Sequence, residues 1–79
     1  MEKNLYTKRH ETLLQLLRDI RLEADLRQED VAERLEKPQS FVSKYESGER
    51  RLDILELFDT CAAIGISLSE FVERLEAEL

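Results

Sequence analysis

From Pro38 to Gly48 the chain reads PQSFVSKYESG. As a helix, this segment gathers Phe41, Val42 and Tyr45 on one face at i, i+1 and i+4. Gln39, Ser40, Ser43 and Lys44 then point outward, carrying an amide, two hydroxyls and an ammonium. Groups of this kind suit hydrogen bonding to base edges and phosphates. Gln28 supplies a second amide at the start of the preceding helical stretch, where the helix dipole favours a phosphate. The other reading of such a stripe is a solvated helix face. Catalysis finds little support. His10 is the one histidine, the chain holds one cysteine, and no Cys, His and carboxylate set falls at metal-ligand spacing. The serines have no base and orienting partner around them. The residues therefore predict no enzyme, no metal and no cofactor.

Two short helices must position these groups. The first, opening at Gln28, carries Val31, Ala32 and Leu35 on a narrow apolar face, with Glu29 and Asp30 in its first turn where the dipole favours anions. The break comes at Glu36-Lys37-Pro38. Pro38 fits the first turn of the next helix, because its missing N–H is unpaired there in any case. Gly48 follows as a left-handed C-terminal cap. Ahead of this pair, a helix is expected from about Lys8 to Ala24, with Leu13, Leu17, Ile20 and Ala24 on one face and Leu14 and Leu16 beside it. Residues 1–7 are expected to be loosely ordered. Behind the pair, Asp53-Ile54-Leu55-Glu56 has the form of a capping box, with Asp53 the cap and Glu56 reaching back. That helix runs to Ile64 and stops at Gly65. Ser67-Leu68-Ser69-Glu70 repeats the arrangement and opens a last helix ending near Ala77. Two glycines, one proline and no alternating β-branched run point to an all-α fold of five helices in one domain spanning 1–79, ordered over about 8–77.

The expected core comprises Leu17, Ile20, Val31, Ala32, Leu35, Val42, Tyr45, Leu55, Phe58, Ala62, Leu68 and Phe71. Cys61, being single, forms no internal disulfide and is read as a buried thiol in a reducing compartment. The N-terminal MEKNLYTKRH has no apolar run of a secretion signal, and no stretch approaches membrane-spanning length, so a cytoplasmic protein is expected. A net charge of −6 argues against a polyanionic partner until its distribution is considered. Residues 1–52 hold 11 Lys/Arg and 11 Asp/Glu, whereas residues 53–79 hold one Arg and seven Asp/Glu. Between Lys37 and Arg51 there are four basic and two acidic residues. An acidic rear with a more positive front can orient a protein on DNA.

In this order the residues resemble the Cro/repressor-type helix-turn-helix family, the small XRE-like DNA-binding domains of phage repressors and many bacterial regulators. The resemblance covers roughly Thr12 to Leu75. It rests on Arg21 seven residues before Gln28, on Val31-Ala32 inside the second helix, on Tyr45-Glu46-Ser47-Gly48 closing the third, and on the Gly65-Ile66-Ser67 step before the last. The resemblance implies that Gln28 meets a phosphate and that Gln39, Ser40, Ser43 and Lys44 face the major groove. It implies that Lys37, Arg50 and Arg51 grip the backbone, and that Arg21 and Glu46 pair and lock the first helix to the end of the third. The partner implied is double-stranded DNA, read as operator half-sites. The sequence departs from the family pattern where Glu36 and Asp25 replace glycines, Arg27 replaces a Ser/Thr cap, and Lys37 replaces an apolar residue. A non-glycine residue in the left-handed region costs about 1 kcal/mol.

One reading helix contacts one half-site, which predicts a homodimer. Leu68, Phe71, Val72, Leu75 and Leu79 exceed what one face of a five-helix core needs, so the last helix is the expected dimer interface. The expected function is sequence-specific transcriptional regulation, most simply repression. The alternative is an antitoxin-like or other protein-interaction module on the same fold, whose acidic rear binds a partner protein.

Overall fold

The computed structural model describes the backbone from Leu5 and the side chains from Lys8, in both cases through to Leu79. Five helices follow in order: α1 (Leu5–Glu23), α2 (Gln28–Leu35), α3 (Gln39–Ser47), α4 (Ile54–Ile64) and α5 (Leu68–Glu78). The described residues contain no strand. Residues 1–4 of the expected loose terminus lie outside the described residues, while 5–7 form the first turn of α1. α2 packs on α3 and α4, and α1 runs against α3, α4 and α5, so α1 and α4 hold the α2–α3 pair from behind while α5 braces those two.

The same device ends four of the helices. Leu26, Lys37, Glu49 and Ile66 each donate the backbone N–H to the carbonyl five residues back, at 3.1, 3.0, 2.9 and 3.0 Å. The residue before each lies in the left-handed region: Asp25 (φ 63°), Glu36 (φ 58°), Gly48 (φ 89°) and Gly65 (φ 92°). Such a bond satisfies carbonyls that the helix itself leaves unpaired. Glycine adopts this conformation freely, so Asp25 and Glu36 carry a steric penalty at the two turns that flank α2. The turn into α3 is thus strained at Glu36 but keeps its regular geometry.

Three helix starts are capped by side chains, while α3 has no side-chain cap and begins after Pro38, which stands extended just before the first turn it was expected to join. Asp53 Oδ1 accepts from the Glu56 N–H at 2.8 Å and Glu56 Oε1 accepts from the Asp53 N–H at 3.0 Å, a complete capping box. At α5, Ser67 Oγ accepts from the Glu70 N–H at 3.1 Å, but Glu70 Oε1 takes the Ser67 hydroxyl at 3.3 Å instead of its backbone. At α2, Arg27 has no oxygen to cap with. Asp30 does the work from one turn inside, accepting the Arg27 N–H at 2.8 Å and its guanidinium at 3.1 Å.

The core gathers Leu16, Leu17, Ile20, Val31, Ala32, Val42, Tyr45, Cys61, Ala63, Ile64 and Phe71, with Leu35, Leu57 and Leu68 half-buried around it. Two expectations fail. Ala24 is exposed, beyond the end of α1. α4 is rotated from its expected setting: Leu55 is 71% and Phe58 53% exposed, and Ala62 also faces outward. The face turned inward is Leu57, Thr60, Cys61 and Ile64, an i, i+3, i+4, i+7 stripe. Small Thr60 and Cys61 let α4 approach its neighbours closely, which a Phe58-facing setting would prevent. Arg34 of α2 fixes the contact by donating to the Ala63 carbonyl, in the last turn of α4, at 2.8 Å.

Candidate nucleic-acid interface

Val42 and Tyr45 anchor α3 from beneath, both buried, and half-buried Phe41 meets Tyr45 edge-on with ring centroids 5.8 Å apart. With that face committed, Gln39, Ser40 and Lys44 are exposed and Ser43 is half-exposed. The stripe expected to face the groove is therefore one contiguous outer surface of α3.

A line of polar contacts ties the start of this helix to the core. Arg21, on α1, donates from Nε to Glu46 Oε2 at 2.6 Å and from Nη2 to Oε1 at 3.0 Å. Its Nη1 reaches the Leu26 carbonyl at 2.8 Å, pinning the α1–α2 turn as well. The side chains of the pair are 8% and 6% exposed, so the bridge is shielded from solvent. Gln28 Nε2 donates to Glu46 Oε1 at 2.9 Å, and Gln28 Oε1 accepts from Gln39 Nε2 at 2.6 Å. The ion pair locks α1 to the end of α3, and the two glutamines carry the same network to the exposed start of α3. Sequence reading reached the pair but missed the Gln28–Gln39 bond. The available signal was two amides that each open a helix of a consecutive pair.

The flanking cations have divided roles. Arg50 forms a fork with Glu56, Nη2 to Oε2 at 2.7 Å and Nη1 to Oε1 at 3.0 Å, and also donates to the Arg51 carbonyl at 2.9 Å. Its guanidinium lies 4.7 Å from the centroid of the Phe41 ring. Arg50 is thus engaged in joining α3 to the start of α4, which differs from the backbone grip expected of it. The fork and the Asp53 N–H pull the Glu56 carboxyl down to about 2. Lys37 places its ammonium over the same ring at 5.4 Å, the position where an apolar residue was expected. Lys44 is fully on the outer surface, and Arg51 is exposed in the loop after α3. His10 of α1 has its Nε2 sheltered with no hydrogen-bond partner among the described residues, and burial and then the charge of Arg51 lower its pKa.

The architecture matches known proteins over nearly its whole length. A family model described as helix-turn-helix matches residues 17–71. The chain belongs to the helix-turn-helix family. As such it is a DNA-binding transcription regulator of XRE type, a class of regulators and not of enzymes. An XRE-family like protein from Pseudomonas syringae pv. tomato str. DC3000 is 43% identical, with 94% of this chain and 90% of that one covered and a TM-score of 0.89. A mutant of the restriction-modification controller protein C.Esp1396I is 28% identical over 99% of this chain and 94% of that one, with a TM-score of 0.82. The same controller as a tetramer in complex with its natural 35-base-pair operator is 25% identical over 96% of each chain, with a TM-score of 0.83. No curated protein matches the chain.

Part of the apolar stripe expected to form an interface on the last helix is taken up by the chain's own core. Phe71 is fully buried within its own chain, and Leu68 and Leu75 are half-buried against the core, so these three are occupied as monomer packing. Val72 and Leu79 alone of that set are exposed. The larger unpartnered apolar surface of this helix-turn-helix protein is on α4, where Ile54 is 63% exposed beside Leu55 and Phe58. The rotation that takes Leu55 and Phe58 out of the core creates this surface. Among the described residues, no helix is long and apolar enough to cross a membrane.

Proposed function

We propose that the protein is a cytoplasmic, homodimeric repressor that binds specific operator half-sites through α3. The observation that carries this reading is the outer stripe of α3, with Gln39 held at its start by a hydrogen bond to Gln28. Gln39 offers a bidentate pair to adenine, and Lys44 can donate to guanine O6 and N7. Ser40 and Ser43 are short enough for the helix to sink into the groove. Gln28 keeps one N–H for a phosphate beside the N-terminus of α2. Lys37 and Arg51 add phosphate charge, while Arg50 contributes chiefly by holding the loop after α3.

Dimerisation rests on a different surface. A half-site reader gains affinity and register when a two-fold axis sets two copies about 34 Å apart along the duplex. The Ile54, Leu55, Phe58 and Ala62 strip is apolar, contiguous along α4 and exposed in the monomer. Surfaces of this kind mark association sites. The controller protein of similar fold is a tetramer on its operator, which supports assembly of this chain on DNA too. Repression follows from occupancy, since a dimer bound across a promoter obstructs it.

Selection of bound sites from random duplexes tests the reading. The wild type should enrich one motif with two-fold symmetry. Gln39→Ala or Lys44→Ala should each cost about 1–3 kcal/mol on that motif and relax preference at one base position. If alanine at Gln39, Ser43 and Lys44 together leaves the selected motif unchanged, α3 is not the reader.

A further inference from the structure

Leu35 at the end of α2, Phe41 of α3 and Ala62 and Ala63 of α4 wall a cleft of about 480 Å³, where the turn into α3 meets α4. Clefts that take small molecules run from about 300 to 1,000 Å³ and are apolar with a few placed polar groups. The polar groups here are Arg34, Glu36, Lys37, Glu56, Asp59 and Thr60. Two of them are already engaged. Glu56 gives both carboxylate oxygens to the Arg50 fork, and Lys37 holds its ammonium over the Phe41 ring. Arg34 commits Nη1 to the Ala63 carbonyl at 2.8 Å and keeps Nε and Nη2. The Asp59 carboxylate has no partner among the described residues.

Arg34 and Asp59 bring opposite charges to the same end of the cleft. Ala63, which receives the Arg34 N–H, lies one helical turn beyond Asp59 on α4, where residues four apart are neighbours. Thr60, next to Asp59, adds an independent sign. Its side chain is wholly buried against the cleft, and Oγ1 has no hydrogen-bond partner among the described residues. A threonine inside a helix commonly turns its hydroxyl back to a carbonyl one turn before; Thr60 does not. A buried hydroxyl left this way is costly, and it calls for a partner from outside the chain.

We propose that this cleft binds a small apolar α-amino acid as its zwitterion. The ligand carboxylate takes the remaining N–H groups of Arg34, its ammonium meets Asp59 and the Thr60 hydroxyl, and its side chain lies against Leu35 and Phe41. An α-amino acid carries its two charges one carbon apart, which matches opposite charges standing side by side. A plain carboxylate would sit against Asp59, and a plain amine against Arg34. The apolar walls favour an uncharged side chain. The ligand touches α2 and α4 and leaves the outer stripe of α3 alone, so the site does not depend on how α3 reads DNA.

The test is titration of the full chain, without DNA, with L-leucine and with L-phenylalanine, followed through backbone amide NMR shifts. At least one of the two should saturate with a Kd of about 0.1–1 mM, the range open to so small a ligand. The shifts should gather at Arg34, Leu35, Asp59 and Thr60. Isoamylamine and isocaproate remove one charge each from leucine, as phenethylamine and hydrocinnamate do from phenylalanine. Either loss should weaken binding at least about tenfold. Asp59→Asn, at an exposed position, should do the same and keep the fold. Thr60→Val should raise the melting temperature, because it removes an unpartnered buried hydroxyl, and yet weaken binding about fivefold. A purely structural threonine would not move the two readouts in opposite directions. The proposal is overturned if neither amino acid saturates or if the shifts gather elsewhere. It is equally overturned if the singly charged analogues, Asp59→Asn or Thr60→Val bind as the parent does. None of these outcomes bears on α3 as the reader, which site selection judges separately.

Discussion

Removing Arg21 should destabilise the protein far more than losing a surface ion pair would. Arg21→Ala deletes three charge-assisted donors: two to Glu46, at 2.6 and 3.0 Å, and one to the Leu26 carbonyl at 2.8 Å. Glu46, only 6% exposed, keeps a single donor, the Gln28 amide at 2.9 Å. A buried carboxylate stranded this way costs about 3–5 kcal/mol, against at most about 1 kcal/mol for an exposed pair. A chain of 79 residues is stable by about 4–12 kcal/mol in total, so the variant should retain little margin. Urea denaturation followed by circular dichroism at 222 nm (a standard helix wavelength, roughly) gives the difference from the midpoint and slope. The double variant Arg21→Met with Glu46→Leu removes both charges and should recover most of the loss, because packed apolar groups replace a buried ion pair nearly neutrally. A loss below about 1 kcal/mol for Arg21→Ala, or a double variant no better than the single, would refute the claim that the pair is shielded and coupled.

Glu36→Gly should raise stability by about 0.5–1 kcal/mol, since it removes the left-handed penalty while keeping the backbone bonds of the turn; a melting temperature unchanged or lowered would count against strain there. The Glu56 carboxyl lies at about 2 when folded and at 4.5 otherwise, so the unfolded chain takes up its proton first. Its contribution is therefore whole above the higher value and lost as pH falls toward the lower, and Arg50→Gln should flatten the stability curve in that acid window relative to wild type. Leu55→Glu with Phe58→Glu should leave a folded monomer with weak operator binding, as measured by sedimentation and gel shift. A wild type already monomeric at the concentration where it binds DNA would remove α4 as the interface.

What was legible in the sequence was mostly what backbone chemistry dictates. Capping at Asp53 and Ser67, left-handed stops at Gly48 and Gly65, and the limits of α2 and α3 each follow from residues that suit few other conformations. The outer polar stripe of α3 was legible because Val42 and Tyr45 leave only one way for the helix to pack. α4 was not, and the reason is compositional. Its sequence ILELFDTCAAI holds two apolar stripes, Ile54/Leu55/Phe58/Ala62 and Leu57/Thr60/Cys61/Ile64, and helical period favours neither. Bulk favours the first; closeness of approach favours the second, and closeness depends on helices elsewhere in the chain. The link between the two amides escaped notice because hydrogen bonding between Gln28 and Gln39 depends on the crossing of α2 and α3, which residue spacing alone does not specify.

Cys61 turns the molecule into its own reporter. It is the one thiol of the chain, fully buried on α4, and burial pushes its pKa up to about 11. In the closed protein it is neither accessible nor ionised, so a disulfide reagent can modify it only through opening of the packing around α4. The rate of modification then measures the population of opened molecules in native buffer, with no denaturant and no attached label. Any duplex that binds only the closed form must slow that rate by the factor by which free duplex exceeds Kd, plus one, about a hundredfold at a hundred times Kd. Operator affinity, base by base, becomes readable from the reactivity of a single sulfur atom on the unmodified chain.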